Sequence, residues 1–311
     1  MKDRSESKKY ICIDVGGTAI KHGILCEDET FLKKGSVETP PDGRAILKSV
    51  HQIVEVELNE YLTGGKTPLP VGVCISSAGM VDSKNGSIFY SGPTIHNFAG
   101  TQYKKTIEER FHLPCEAEND VNCAGLAEYH SGAAKGHECA FVLTVGTGIG
   151  GCVFIDGHIH HGVTNSAGEV GYMRFAKDDF QDLASTNALI KKVASLRKES
   201  DDLWDGKKIF EEAKAGDRMC ETAIDDMCKS LGYGIANICY VLNPSVCVIG
   251  GGIMAQAEYL IPRIRTAMEE ILPQVIAGAT KLTSAHHQND AGMIGAYYHF
   301  LEMQKKRNGK Q

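Results

Sequence analysis

Residues Ile13–Leu25 read IDVGGTAIKHGIL, and 130 positions later Leu143–Ile155 read LTVGTGIGGCVFI. Each is an apolar run, a Gly/Thr turn and a returning apolar run, which predicts strand, turn, strand. Walker and Rossmann loops lead from a strand into a helix, so neither fits. Glycines in such a turn let backbone N–H groups approach a phosphate closely, and Thr18 and Thr147 add hydroxyl donors. An offset of 130 residues is too long for a solenoid repeat. It suits a duplicated α/β domain, with two lobes facing across a central cleft and one phosphate hairpin on each.

Between the two copies lies Glu118-Asn119-Asp120-Val121-Asn122, after an extended run and before a helix. A carboxylate at such a junction can simply cap the helix. Set between two phosphate hairpins, Asp120 is instead a candidate general base for a substrate hydroxyl. Val71 to Ile75 predicts a strand that runs into the small-residue loop Ser76–Gly79. Tyr90–Gly100 is a polar loop bounded by Gly and Pro. Asp156–Met173 is another, carrying Asn165, Ser166, Gly168 and Glu169. Gly250-Gly251-Gly252, after the apolar run Val246–Ile249, permits a flat group to lie against backbone. Helices are expected over Ala45–Leu62, Leu183–Val193, Ala223–Leu242 and Ala291–Leu301, with Leu203–Lys208 a polar break and the tail from Lys305 frayed.

Composition narrows the class. The chain has 311 residues, 42% hydrophobic and 23% charged, which is globular. A net charge of −6 argues against a nucleic-acid surface. Met1 to Lys9 has no apolar signal core, and no run is long enough to span a membrane. The eleven cysteines form no C-x-C or C-x-x-C motif, the usage of a reduced cytoplasm. His158, His160 and His161 cluster in sequence, yet no Cys or carboxylate stands beside them at zinc-ligand spacing.

Taken together, these motifs resemble the ROK sugar kinases of the actin/hexokinase superfamily over nearly the whole chain. The anchors are Asp14–Thr18, Glu118–Asn122, Gly146–Gly151, Ala167–Gly171 and Gly250–Gly252. The resemblance implies a duplicated actin-like ATPase (ribonuclease H-like) fold, read here as lobes 1–120 and 121–290 with helix 291–304 packing back on the first. It implies ATP held by Asp14, Gly16, Gly17, Thr18, Lys21, Gly146, Thr147, Gly148, Gly250, Gly251 and Gly252, with Mg2+ near Asp14 through water. Asp120 would be the catalytic base, and Gly79, Asn97, Asn119, Glu169, Tyr172 and Asp182 would surround the sugar. ROK members with a structural zinc carry Gly-His after the Glu-x motif and then a Cys-rich segment. Here the His position is Tyr172, and Arg174–Asp182 has no cysteine, so zinc is expected to be absent. Gly-Tyr-Met at this place and Asn289–Ala296 resemble zinc-less β-glucoside kinases. The implied activity is ATP-dependent phosphorylation of the 6-hydroxyl of a hexose or β-glucoside by a cytoplasmic homodimer. Alternatives within the family are a glucokinase or an N-acetylmannosamine kinase. A non-catalytic sugar-sensing repressor is the alternative of a different class, and the nine residues before the first strand are too few for its DNA-binding module.

Overall fold

The computed structural model describes residues 7–65, 68–92 and 95–309. Pro93 and Thr94 of the expected polar loop, and Lys310 and Gln311 of the tail, lie outside the described residues. The chain forms two units, Met1–His130 with Asp290–Gln311, and Ser131–Asn289.

In the first unit, β1 (Lys9–Val15), β2 (Ala19–Cys26) and β3 (Phe31–Glu38) form an antiparallel meander. Helix α1 (Gly43–Thr63) follows, then β4 (Pro70–Ser77), a small hairpin of β5 (Met80–Asp82) and β6 (Ser87–Tyr90), α2 (Tyr103–Phe111), β7 (Cys115–Asn119) and α3 (Asp120–Ser131). The sheet order is β3-β2-β1-β4-β7, with β1, β4 and β7 parallel. Strand β1 is buried on both faces, which is why its sequence is nearly continuous in apolar residues. Ile11, Ile13 and Val15 pack with Ile46, Val50 and Val54 of α1 and Tyr103 and Ile107 of α2. On the other face Tyr10 and Cys12 meet the last helix through Met293, Ala296, Tyr297 and Phe300. Cys123 joins that cluster, and Ala127 packs with Ala291 and Ile294. Helix α3 therefore lies with the first unit, and the division falls at His130, ten residues beyond the expected position 120.

The second unit repeats the plan. After β8 (Ala140–Val145), β9 (Ile149–Ile155) and β10 (His158–Ile159) come a two-residue hairpin, β11 (Arg174–Phe175) with β12 (Asp178–Asp179), and helices α4 (Phe180–Ala184), α5 (Thr186–Arg197), α6 (Gly206–Lys214) and α7 (Arg218–Leu242). Strand β13 (Val246–Gly250), helices α8 (Ala257–Glu269) and α9 (Gln274–Ala277) and strand β14 (Lys281–Ser284) complete it. The order β10-β9-β8-β13-β14 matches the first sheet strand for strand, with β8/β9 antiparallel and β8, β13 and β14 parallel. The last helix, α10 (Ala291–Asn308), belongs to the first unit.

Several elements differ from the sequence expectation. The helix expected over Leu183–Val193 is two helices broken at Ser185, whose side chain accepts from Ala188 N–H and so caps α5. The polar break at Leu203–Lys208 passes into α6, which Asp205 caps through Lys208 N–H. Helix α7 begins at Arg218, five residues early, because Asp217 caps it through Cys220 N–H. The charged tail from Lys305 continues α10 to Asn308.

Candidate active site

In the first unit the hairpin turn Gly16-Gly17-Thr18 is held from outside. Thr39 Oγ1 donates to Gly16 O at 2.7 Å, and Thr39 N–H donates to Thr18 O at 3.0 Å. Gly17 has no atom within 4 Å of where a Cβ would stand, so the backbone there is open to close approach. Asp14 sits at the end of β1 with its side chain 15% exposed. Ser76 Oγ donates to its Oδ1 at 2.6 Å, and Lys21 Nζ lies 4.0 Å from its Oδ2. Burial nonetheless raises this carboxyl above the ordinary aspartate range, against the pull of Ser76 and Lys21.

The junction at Asp120 connects to the same end of the sheet. Ala78 N–H donates to Val15 O at 2.9 Å, and the Nδ2 of Asn119 donates to Gly79 O at 2.9 Å. Asn119, not Asp120, does most of the capping of α3. Its Oδ1 accepts from Val121 N–H at 3.0 Å and Asn122 N–H at 3.1 Å. Asp120 Oδ1 accepts from Asn119 Nδ2 at 2.9 Å and Val121 N–H at 3.0 Å, which fixes the orientation of the carboxylate. Gly79, Asn119 and Asp120 are thus one cluster. Asn97 is held elsewhere: its Nδ2 donates to Asp42 Oδ2, the N-cap of α1, at 2.6 Å. Its neighbour Phe98 reaches Gly79, the ring edge standing 3.8 Å from where a Cβ would be.

In the second unit the hairpin turn Gly146-Thr147-Gly148 closes through Gly146 N–H to Gly148 O at 3.0 Å, and Thr186 N–H donates to Gly146 O at 2.8 Å. The polar loop rides directly on this hairpin. Gly168 has φ 96°, and a Cβ on it would stand 2.1 Å from Gly151 O; one on Gly171 would stand 2.3 Å from Ile149 O. Only glycine permits that approach. Between them Glu169 precedes a 3-10 turn, Val170–Tyr172. Burial raises the Glu169 carboxyl above its ordinary range. The Tyr172 side chain does not enter the core; the residue is 58% exposed. Gly251, at φ 93°, approaches the end of β8, where a Cβ would stand 2.2 Å from Val145 O.

Asp182 does not join this cluster. It lines a cavity of about 400 Å3 with Phe175, Leu189, Met227 and Tyr233. Its neighbour Gln181 turns the other way, with Oε1 3.0 Å from the Cβ position of Gly148 and 3.3 Å from that of Gly171. Gln181 escaped the sequence reading because no cysteine anchors the register across Arg174–Asp182. The signal available was its spacing: helical neighbours 181 and 182 point about 100° apart, so only one could face the hairpin.

Of the three histidines, His158 Nδ1 lies 2.7 Å from Asp156 O, and His160 N–H donates to Val153 O at 2.8 Å. Among the described residues no group of three or more His, Cys, Asp or Glu side chains is placed to hold a metal ion. Among the same residues no helix is long and apolar enough to cross a membrane.

Two sheets of identical strand order, each with a Gly/Thr turn between its first antiparallel pair, define a protein of the actin-like ATPase fold. The ROK family model matches residues 10–303. A β-glucoside kinase of Klebsiella pneumoniae is 31% identical over 307 residues, covering 95% of this chain and 97% of that protein. A ROK family protein of Streptococcus pneumoniae, solved in complex with sucrose, superposes with a TM-score of 0.80 at 31% identity, covering 96% of this chain and 99% of that one. A ROK family glucokinase of Streptomyces griseus, solved with glucose and AMPPNP, gives a TM-score of 0.76 at 26% identity, covering 93% and 97%. The chain belongs to the ROK family and is an ATP-dependent sugar kinase.

Proposed function

We propose that this kinase transfers the γ-phosphate of ATP to the 6-hydroxyl of a β-glucoside. The observation that carries the reading is Tyr172, whose exposed ring ends the turn that begins at Glu169. An aromatic plane offers a surface for a second sugar ring, whereas a metal-fixed histidine would close on the anomeric end. The segment after it supports the same view. Arg174 ties the β11/β12 hairpin together through Asp179 Oδ1 at 2.6 Å and Lys177 O at 2.5 Å, where zinc-bearing relatives carry their cysteines. The name of the Klebsiella pneumoniae relative points the same way. A glucokinase or N-acetylmannosamine kinase would use the same residues on a free sugar.

In this reading Asp120 accepts the proton of the hydroxyl as its oxygen attacks the γ-phosphorus, the bond to the β,γ-bridging oxygen breaks, and ADP leaves. Asn119, whose amide positions Asp120, and Glu169 are the residues this reading gives to the sugar. Asn97, tied to Asp42, and Asp182, in the cavity with Leu189 and Met227, are given no direct sugar contact in this reading. The N–H groups of both hairpin turns, with Thr18 and Thr147, bind phosphate oxygens, and Gly250–Gly252 receives the nucleoside. A buried single carboxylate beside Lys21 fits magnesium held through water, since Mg2+ keeps several waters and needs only one or two carboxylates. Magnesium bound there would neutralise phosphate charge; Asp14 and Ser76 would orient its water. We infer a homodimer as the working assembly.

The test is product identity. Phosphorus and carbon NMR of the product from cellobiose and ATP should show a phosphate on C6 of the non-reducing ring. Phosphate on the anomeric oxygen, or ADP release without a sugar phosphate, overturns the reading.

A further inference from the structure

One buried acid beside Asp120 has no part in the mechanism above. Glu118, at the end of β7, is wholly buried. Its Oε1 accepts from Asn119 N–H at 2.7 Å and from Asn122 Nδ2 at 3.1 Å. Its Oε2 stands 3.7 Å from Nδ1 of His299, which is itself 4% exposed and comes from α10. A carboxylate removed from water is costly unless it is paired and hydrogen-bonded, so this arrangement is tightly determined.

Helix α10 brings His299 there as part of one face. Positions 292, 295 and 299 are spaced three and four apart and so lie on one side of the helix. A Cβ on Gly292 would stand 2.6 Å from Asp14 Cγ, and one on Gly295 would stand 1.7 Å from Cys123 O. The same face therefore touches the Asp14 carboxyl, the first turn of α3 and the Glu118 carboxylate. Strand register carries the link sideways, since Asp14, Ser76 and Glu118 are direct partners across β1, β4 and β7.

We propose that Glu118 and His299 are positioning residues for phosphoryl transfer, holding the Asn119 backbone and the Asn122 amide so that Asp120 keeps its aim. The route is short. Glu118 fixes Asn119 N–H, and the Asn119 side chain bonds both Gly79 O and Asp120 Oδ1. The inference rests on Asp120 acting as the base. A residue that only stabilised the fold would change the melting temperature and leave kcat intact. A positioning residue changes kcat and leaves nucleotide affinity intact.

The experiment compares kcat, both KM values and the melting temperature of Asp120→Asn, Glu118→Leu, Glu118→Gln and His299→Leu in the full chain. Glu118→Leu removes the acceptor and should lower kcat by about 30-fold or more, with KM for ATP within about threefold, as small misplacements of reacting groups do. Glu118→Gln keeps an acceptor oxygen and should recover kcat to within about tenfold of wild type, with His299→Leu falling between the two. If Glu118→Leu does not fold, Asn122→Leu reads the same bond from its other end and should show the same split. A folded Glu118→Leu or Asn122→Leu with wild-type kcat, or equal losses in Leu and Gln, overturns the inference. An inactive Asp120→Asn beside an active Glu118→Leu overturns this inference alone, whereas an active Asp120→Asn overturns the base assignment on which it rests.

Discussion

Asp120 shares the start of its helix with a better cap. Because Asn119 Oδ1 takes both Val121 and Asn122 N–H groups, the carboxylate of Asp120 is not needed to begin α3. Asp120→Asn should therefore lower kcat by roughly a hundred- to ten-thousand-fold, the usual cost of losing a general base, with little change in melting temperature. Asn119→Ala should cost about 0.5–2 kcal/mol of stability, as lost caps do. A large melting shift with unchanged kcat in Asp120→Asn would make it a cap after all. Asp14 gives the opposite trade. Its carboxyl is raised in the folded state, so the folded protein binds that proton more tightly than the unfolded chain. Its contribution to stability is present below the unfolded value of 3.8 and lost as pH rises through the raised one. Above the raised value the ionised group thus costs stability. Asp14→Asn keeps the acceptor for Ser76 and should raise the melting temperature relative to wild type increasingly as pH rises, while turnover falls; a relative melting temperature that drops with rising pH contradicts the assignment.

Among the elements, α10 makes the tightest glycine contact, at Gly295. Replacing a helical glycine by alanine ordinarily gains about 1 kcal/mol of helix propensity. At Gly295 the new methyl would meet the Cys123 carbonyl, and such overpacking costs about 1–3 kcal/mol or more. Gly295→Ala should therefore lower the melting temperature by several degrees despite the better helix former, and scanning calorimetry would read it. A higher melting temperature would show that α10 can move off α3. Legibility in the sequence followed burial. Strands β1, β8 and β13 are covered on both faces, so their apolar runs stand out at once. Helix α2 did not, because only Tyr103 and Ile107 among its apolar residues are buried and charges surround them. Helix α6 hid behind Asp205 and Gly206, which read as a break although the aspartate is its cap. The break at Ser185 was written as a cap signal inside an apolar pattern, and the pattern won. Of the residues expected to face the sugar, Gly79 and Glu169 lie on loops and Asn119 ends strand β7, each next to a motif that stands out in the sequence. Gln181 is legible only as the helical alternative to Asp182, and the register that decides between them is three-dimensional.

At the scale of the whole molecule, the duplication visible in IDVGGTAIKHGIL and LTVGTGIGGCVFI is the duplication of two five-stranded sheets. Each unit carries one Gly/Thr hairpin with a loop against it, Ser76–Gly79 beside the first and Glu169–Tyr172 on the second, and the proposal gives the hairpins to phosphate and the loops to sugar. Substrate choice is likewise a property measured on the whole protein. Metal analysis of tag-free protein should find less than one zinc per chain, with turnover still dependent on magnesium. One tightly bound zinc would send attention back to His158, His160 and His161. The most direct measurement is kcat/KM for cellobiose against glucose and N-acetylmannosamine, with ATP saturating. The expected result is a value for cellobiose at least equal to that for glucose; turnover of the free sugars with none of cellobiose would contradict the β-glucoside reading and leave a general hexose kinase.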